Sequence, residues 1–120
     1  MKITQRTATL DDAGTLLTWR NHPETRKFSR NPDEICSNEH LEWLTARLER
    51  VQLEPFYIFI EDSKAIGMTR LETTSGSIHH YEISVLVDPN NQGKGLGRRI
   101  LSLTCESFFT STLNLLLLPI

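Results

Sequence analysis

Residues 85–99 of this 120-residue chain decide the fold, and they read VLVDPNNQGKGLGRR. An alternating apolar segment stops at Asp88-Pro89, a glycine-rich stretch follows, and a helical pattern begins at about Gly95. The first turn of a helix has backbone N–H groups without partners, and the helix dipole favours negative charge there. This order of strand, loop and helix therefore predicts a site for an anion.

The loop combines alternating glycines with basic residues, namely Gly93, Gly95, Gly97, Lys94, Arg98 and Arg99. Because glycine has no Cβ atom, the backbone can approach a bulky phosphate such as a pyrophosphate, and the cations add positive charge beside it. The Walker A pattern does not fit, since Gly95 follows Lys94 where a serine or threonine is required. The glycine spacing does not fit the dinucleotide fingerprint either. A glycine-rich turn without a ligand is the alternative interpretation.

Outward from this stretch, hydrophobic periodicity predicts a mixed α/β domain with the element order β-α-α-β-β-β-α-β. The predicted strands cover residues 3–8, 56–60, 65–73, 79–87 and 113–118. The predicted helices cover residues 9–21, 37–51 and 95–109. Thr9 and Asp12 have the spacing of a capping box at the start of the first helix. Residues 22–36 are expected to form a polar loop with a helical turn.

The composition is that of a single soluble globular domain spanning residues 1–120, with 38% hydrophobic and 23% charged residues. A formal net charge of -2 provides no overall basic field, so neither nucleic acid nor a membrane is expected as a partner. Cys36 and Cys105 belong to no ligand cluster, so no bound metal is expected. The lone thiols and an N-terminus without an apolar signal core predict a cytoplasmic protein.

The run QGKGLG at residues 92–97 matches the pattern Q/R-x-x-G-x-G/A, and VLVDP precedes it. With RRIL after it, and with the element order of the whole chain, this stretch resembles the GNAT acetyltransferases. The resemblance implies a GNAT-like acyl-CoA N-acyltransferase fold, with acetyl-CoA as the co-substrate held by its pyrophosphate. The cofactor-binding residues that it implies are Val85, Leu86, Val87, Gln92, Gly93, Lys94, Gly95, Leu96, Gly97 and Arg98.

The same resemblance implies direct transfer of an acetyl group to a small-molecule primary amine while both substrates are bound. Glu82, on the strand before the motif, is the expected general base, because some family members carry a base glutamate near this place. His79 and His80 are rival bases. A second interpretation, in which Glu82 only pairs with a cation or binds the substrate, stays open.

Three stretches of the N-terminal half, residues 19–26, 29–31 and 39–43, resemble a GNAT branch that acetylates nucleotide-linked amino sugars. They are also somewhat similar to the branch that acetylates ribosomal proteins. The resemblance implies that this helix-loop-helix segment covers the acceptor site, where arginines can contact a nucleotide diphosphate. The expected acceptor-binding residues are Arg20, Arg26, Arg30 and His79. A solvated polar loop is the alternative.

Only Pro119 and Ile120 follow the predicted last strand, whereas complete GNAT domains continue with a helix and further strands. The expectation is a domain that is incomplete at its C-terminus. Two functions then compete, an N-acetyltransferase and an acyl-CoA-binding module that does not turn over. A phosphate-binding protein unrelated to coenzyme A is disfavoured by the missing Walker serine. The leucine-rich edge of the last strand also predicts a homodimer through that strand.

Overall fold

The computed structural model describes residues 2–74 and 77–117, with side chains described for 2–74 and 80–108. The strands are β1 (Ile3–Thr7), β2 (Phe56–Glu61), β3 (Lys64–Thr74) and β4 (Ser77–Val87). The α-helices are α1 (Ala13–Asn21), α2 (Pro23–Arg26), α3 (Ser37–Leu48) and α4 (Leu96–Leu117). Short 3-10 turns occur at Leu10–Asp12 and Pro89–Asn91. The mixed α/β class predicted from the periodicity is confirmed.

The four described strands form one antiparallel sheet in the order β1-β2-β3-β4. Successive side chains of a strand point to opposite faces of the sheet. Ile58 of β2 therefore packs in the core cluster that contains Leu16 of α1 and Leu44 of α3. Its neighbour Phe59 packs with Ile100 of α4 on the other face. The sheet is thus covered by helices on both faces.

The strand predicted over residues 113–118 is wrong. Residues 113–117 belong to α4, which is 22 residues long, and residue 118 lies outside the described part of the chain. Leucine is a strong helix former, and no glycine or proline stands between Gly97 and Pro119 to end the helix. The predicted homodimer through a strand at this place therefore has no structural basis in residues 113–117.

The first helical segment begins at the predicted capping box. Thr9 N donates to Asp12 Oδ2 at 2.8 Å, and the Arg6 guanidinium binds both oxygens of that carboxylate at 2.8 and 2.7 Å. The hydrogen bond from Arg6 is the main reason why the pKa of Asp12 lies below its usual value. These contacts fix the start of α1 against β1, and α1 carries Arg20 in its last turn.

A buried arginine, Arg47, joins α3 to the sheet. Its guanidinium donates to the backbone carbonyls of Glu54 at 2.7 Å, Leu71 at 3.0 Å and Pro55 at 3.3 Å. Its Nε lies 3.4 Å from Glu72 Oε2. Burial lowers the pKa of Arg47, and the charge of Glu72 opposes that shift. These contacts hold α3 against β3, the strand that forms one wall of the cleft.

Candidate active site

A cleft of about 1140 Å³ opens between the end of β4, the loop that leads into α4 and the segment from α1 to α3. Its lining contains two distinct groups of residues. The first group belongs to the phosphate loop, which we define as residues 92–97, and consists of Gln92, Gly93, Gly95, Leu96 and Gly97. The arginine pocket, which we define by Arg20, Trp43, Arg70 and Glu72, contributes charged and aromatic side chains. Ligands bound to the two groups would therefore share one cleft.

Two glycines of the phosphate loop have left-handed backbone conformations, with φ 84° at Gly93 and φ 73° at Gly95. A residue with a Cβ atom is strained in that conformation. No described atom lies within 4 Å of a Cβ built at either glycine, so a substitution would be strained by the backbone and not by crowding. The space next to both glycines is therefore open to a ligand.

Hydrogen bonds on both sides of the loop fix the positions of its two ends. Asp88 Oδ1 accepts from Asn90 N at 3.0 Å, which caps the turn after β4. The first backbone hydrogen bond of α4 runs from Arg99 N to Gly95 O at 3.2 Å. The N–H groups of residues 96–98 consequently have no acceptor within the helix. They and the positive end of the helix dipole lie where the helix meets the cleft, which favours an anion there.

Most of the predicted cofactor-binding residues line the cleft, namely Val85, Leu86, Val87, Gln92, Gly93, Gly95, Leu96 and Gly97. Lys94 and Arg98 are exposed and lie outside its described lining, and Lys94 Nζ is 3.4 Å from Asn91 Oδ1. One edge of β4 pairs with β3, and the other has no strand partner within residues 2–74 and 77–117. Its outward-facing backbone groups are available to an extended ligand.

Glu82, the predicted base, lines the cleft on β4. Its Oε1 lies 3.9 Å from Nη2 of Arg30, whose side chain is 96% exposed. Exposed pairs of this kind contribute little free energy and exchange readily with solvent. Both interpretations of Glu82, as a base and as an ion-pair partner, therefore fit its position. Of the rival bases, His80 is exposed and outside the described lining, and the His79 side chain lies outside the described residues.

The predicted acceptor-binding arginines separate in the structure. Arg20 and Arg30 line the cleft together with Glu82. Arg26 lies outside the described lining, because its Nε donates to Pro32 O at 2.8 Å and supports the loop after α2. The structure therefore brings two of the three arginines to the candidate site.

Sequence reasoning predicted Arg20 of the arginine pocket but missed Arg70 and Glu72. The Arg70 guanidinium carbon lies 5.0 Å from the centroid of the Trp43 ring, and its Nε is 3.5 Å from Glu72 Oε1. Burial is the main cause that lowers the pKa of Arg70, and the charge of Arg20 acts in the same direction. A signal was present in the sequence, because Met68, Arg70 and Glu72 alternate along β3 and so share one face.

His40 of α3 is a further residue that the sequence did not single out. It is buried, it lines the cleft, and its ring centroid lies 5.6 Å from that of Trp43. Burial, followed by the charge of Arg20, lowers the pKa of His40. The imidazole is therefore mainly neutral at pH values near 7.

Among the side chains that the structure describes, those of residues 2–74 and 80–108, no group of three or more His, Cys, Asp or Glu is placed to hold a metal ion. Within residues 2–74 and 77–117, none of the helices has the length and apolar character needed to cross a membrane.

The sequence matches the family described as acetyltransferase (GNAT) domain over residues 2–118. No curated protein matches the chain at a significant level.

Solved structures of similar fold include yncA of Salmonella typhimurium, whose structure contains its cofactor acetyl-CoA. It is 26% identical over 88% of this chain and 62% of that chain, with a TM-score of 0.67. The ribosomal-protein-alanine N-acetyltransferase of Brucella melitensis is 24% identical over 87% and 65%, with a TM-score of 0.69. AAC(6')-Ib in complex with ribostamycin and coenzyme A is 19% identical over 92% and 68%, with a TM-score of 0.79. The chain thus spans about two thirds of the length of these structures.

Proposed function

Because the chain belongs to the GNAT acetyltransferase family, we propose that it is an N-acetyltransferase that moves an acetyl group from acetyl-CoA to a primary amine. The observation that carries the proposal is the phosphate loop, which opens α4 with two left-handed glycines in the same cleft as Glu82 and the edge of β4. The loop offers an anion site, the strand edge a site for an extended chain, and Glu82 a proton acceptor. Transfer from a thioester of coenzyme A to an amine needs all three.

On this proposal the pyrophosphate of acetyl-CoA lies against the backbone N–H groups of the phosphate loop and the first turn of α4. The open space beside Gly93 and Gly95 supports this placement. Lys94 and Arg98 are exposed at the same end of the helix, where long side chains can reach the outer phosphate oxygens. The pantetheine arm lies along residues 85–87 and bonds to the outward-facing backbone groups of β4.

The proposed reaction is direct attack of the amine nitrogen on the thioester carbonyl carbon. A C–N bond forms, the C–S bond breaks, and coenzyme A leaves as a thiolate that takes up a proton. Glu82 accepts the proton that the amine loses, directly or through one water molecule. Backbone N–H groups of β4 polarise the carbonyl. Holding both reactants in one cleft supplies much of the rate.

For the acceptor we propose an amino sugar linked to a nucleotide, following the resemblance of the N-terminal half to that branch of the family. Arg20 and Arg30 support this choice, since both line the cleft and arginine binds phosphates in a bidentate manner. His79, whose side chain lies outside the described residues, stays an expected acceptor contact on the resemblance alone. Arg26 is instead assigned to the support of the loop after α2.

A second candidate is an acyl-CoA-binding module that does not turn over. The observation that favours it is the position of Glu82, whose Oε1 lies 3.9 Å from Arg30 Nη2, because the carboxylate can then serve as an ion-pair partner instead of a base. In this case the phosphate loop would bind coenzyme A in the same way, but no amine would be acetylated.

The test is release of coenzyme A, followed with a thiol reagent, from acetyl-CoA and a panel of primary amines that includes nucleotide-linked amino sugars. We expect release that depends on the amine and rises with its concentration. Binding of acetyl-CoA without release by any amine in the panel would support the binding module. Absence of both binding and release would contradict the two candidates together.

A further inference from the structure

The arginine pocket contains a guanidinium with a buried donor that the protein does not use. Within the described residues, the side chain of Arg70 makes no hydrogen bond, and its Nε is buried without a hydrogen-bond partner. Its nearest carboxylate oxygen, Glu72 Oε1, is 3.5 Å away, and the Trp43 ring covers one face of the guanidinium. A desolvated cation without an acceptor is unfavourable. The pocket is therefore arranged for an acceptor that is not part of the described chain.

Arg20 shows the same feature at the end of α1. Its Nη2 donates to Asn31 O at 2.6 Å, which fixes the guanidinium, whereas its Nη1 is buried without a hydrogen-bond partner among the described residues. Arg20 and Arg70 line the same cleft. Burial, and to a lesser degree the charge of Arg20, lowers the pKa of Arg70, whereas the charges of Glu72 and Glu82 raise it. The two guanidinium groups carry like charges and repel each other in a partly desolvated cleft. An anion bound between them would attract both groups and offset this repulsion.

The two carboxylates whose charges act on Arg70, Glu72 and Glu82, also face other cations. Glu72 Oε2 lies 3.4 Å from Arg47 Nε and 3.9 Å from Arg50 Nη2. Glu82 faces Arg30 at 3.9 Å. The charge of Glu72 is thus shared among Arg47, Arg50 and Arg70, and it does not serve Arg70 alone.

We propose that the acceptor amine also carries an anionic group, a carboxylate or a phosphate, which binds between Arg20 and Arg70. The inference rests on the proposed function, since it names the acceptor class of the same cleft. Glu82 stands opposite Glu72 in the register of β3 and β4, so the amine at Glu82 and the anion at Arg70 belong to neighbouring parts of one small molecule. Neutral amines and polyamines are then poor acceptors.

The test compares matched pairs of primary amines that differ only in the anionic group. Glucosamine 6-phosphate against glucosamine tests the phosphate, and alanine against alaninamide tests the carboxylate. Binding is followed by the fluorescence of the two tryptophans, one of which stacks on Arg70, with saturating coenzyme A present to occupy the phosphate loop. We expect the anionic member of at least one pair to bind about tenfold more tightly or better, as one charge-assisted hydrogen bond provides.

Variants locate the effect. Arg70→Gln and, separately, Arg20→Gln should remove the preference for the anionic member and leave the affinity for its neutral partner unchanged. Arg50→Gln is the matched control, because Arg50 contacts the same Glu72 carboxylate but lies outside the described lining of the cleft. The preference should survive in that variant. Circular dichroism checks that each variant is folded, and the Arg20 variant carries the test if the Arg70 variant does not fold.

The outcomes separate this inference from the proposed function. Equal binding of both members in each pair, or a preference that persists in both Arg20→Gln and Arg70→Gln, overturns the inference whether or not any amine is acetylated. A preference that the variants remove, without release of coenzyme A from acetyl-CoA, supports the anion pocket and contradicts the transferase. A preference in both binding and kcat/KM supports the two together.

Discussion

The phosphate loop and the arginine pocket lie in one cleft but are built in different ways. The loop is six consecutive residues, 92–97, in which two left-handed glycines lead into α4, and the binding groups that we propose are its backbone N–H groups. The pocket is made of side chains from α1, α3 and β3, and the sequence distance from Arg20 to Glu72 is 52 residues. The phosphate loop is a property of a local segment, whereas the arginine pocket exists only after the sheet and the helices have packed. The two should therefore respond differently to mutation.

The largest effect is expected at Glu82, which stands between the two regions. Glu82→Gln should lower kcat by about 10²–10⁴-fold, because a general base contributes a factor of that size, and should leave the affinity for acetyl-CoA unchanged. Steady-state kinetics and calorimetry measure the two quantities. Glu39→Gln is the control, since Glu39 is another exposed carboxylate of the cleft lining. Normal turnover in Glu82→Gln would assign the base to His79, His80 or a water molecule.

The next effect concerns the support of the arginine pocket. Arg47→Met should reduce the free energy of unfolding by about 3–5 kcal/mol, because it leaves the carbonyls of Glu54 and Leu71 and the carboxylate of Glu72 without their buried partner. Urea denaturation provides the measurement. Arg50→Met, which removes a more exposed cation near the same carboxylate, should cost about 1 kcal/mol or less. Equal losses of unfolding free energy in Arg47→Met and Arg50→Met would show that the contribution of Arg47 does not depend on its burial.

The sequence predicts the phosphate loop better than the arginine pocket, because the loop is local in sequence and the pocket is not. The loop was predicted because glycine, proline and helix-start signals act within a few residues of each other, as at Pro89 and Gly95. Arg70 was missed although its face of β3 could be read, because the position of Trp43 above it depends on how α3 packs. Pairing of Glu82 with a cation was an open interpretation of the sequence, but Arg30 could not be identified as the partner for the same reason. The pair joins β4 to a loop that is remote in sequence.

The element boundaries show the limit of local patterns. The capping box at Thr9 and Asp12 is confirmed, since its partners are three residues apart. The run of leucines at 115–118 was interpreted as a buried strand, but leucine favours a helix when no breaker precedes it, and α4 continues to Leu117. A short apolar run is compatible with either structure, and the residues before it decide.

A smaller effect is expected where α4 packs on the sheet. Thr69 Oγ1 and Thr104 Oγ1 form a buried hydrogen bond of 2.8 Å between β3 and α4. Thr104→Val should cost about 1–3 kcal/mol, because it leaves the Thr69 hydroxyl without its partner. The double variant Thr69→Val, Thr104→Val should cost less than the sum of the single losses. Both should bind acetyl-CoA normally, since the loop binds through its backbone. Weaker binding of acetyl-CoA by the folded variants would contradict the proposal that the loop binds through its backbone.

The smallest effect is a pH dependence at the start of α1. Because Arg6 lowers the pKa of Asp12, this pair stabilises the fold above the unfolded pKa of about 3.9 and loses its contribution as the pH falls through the lower folded value. We expect a loss of about 1 kcal/mol between about pH 6 and pH 2 that Asp12→Asn does not show. Urea midpoints across that range measure it. Identical pH profiles for the wild-type protein and Asp12→Asn would show that the Arg6–Asp12 pair does not stabilise the fold.

The central claim, that the phosphate loop binds acetyl-CoA through its backbone, is tested most directly by calorimetric titration of acetyl-CoA into the wild-type protein, Gly95→Asp and Gly95→Asn. Asparagine is close to aspartate in shape and tolerates the left-handed conformation at residue 95, so the pair isolates the negative charge. The account predicts binding to the wild type, weakened binding to Gly95→Asn and no measurable binding to Gly95→Asp, whose carboxylate stands where the pyrophosphate lies. Equal affinity in all three proteins would contradict it.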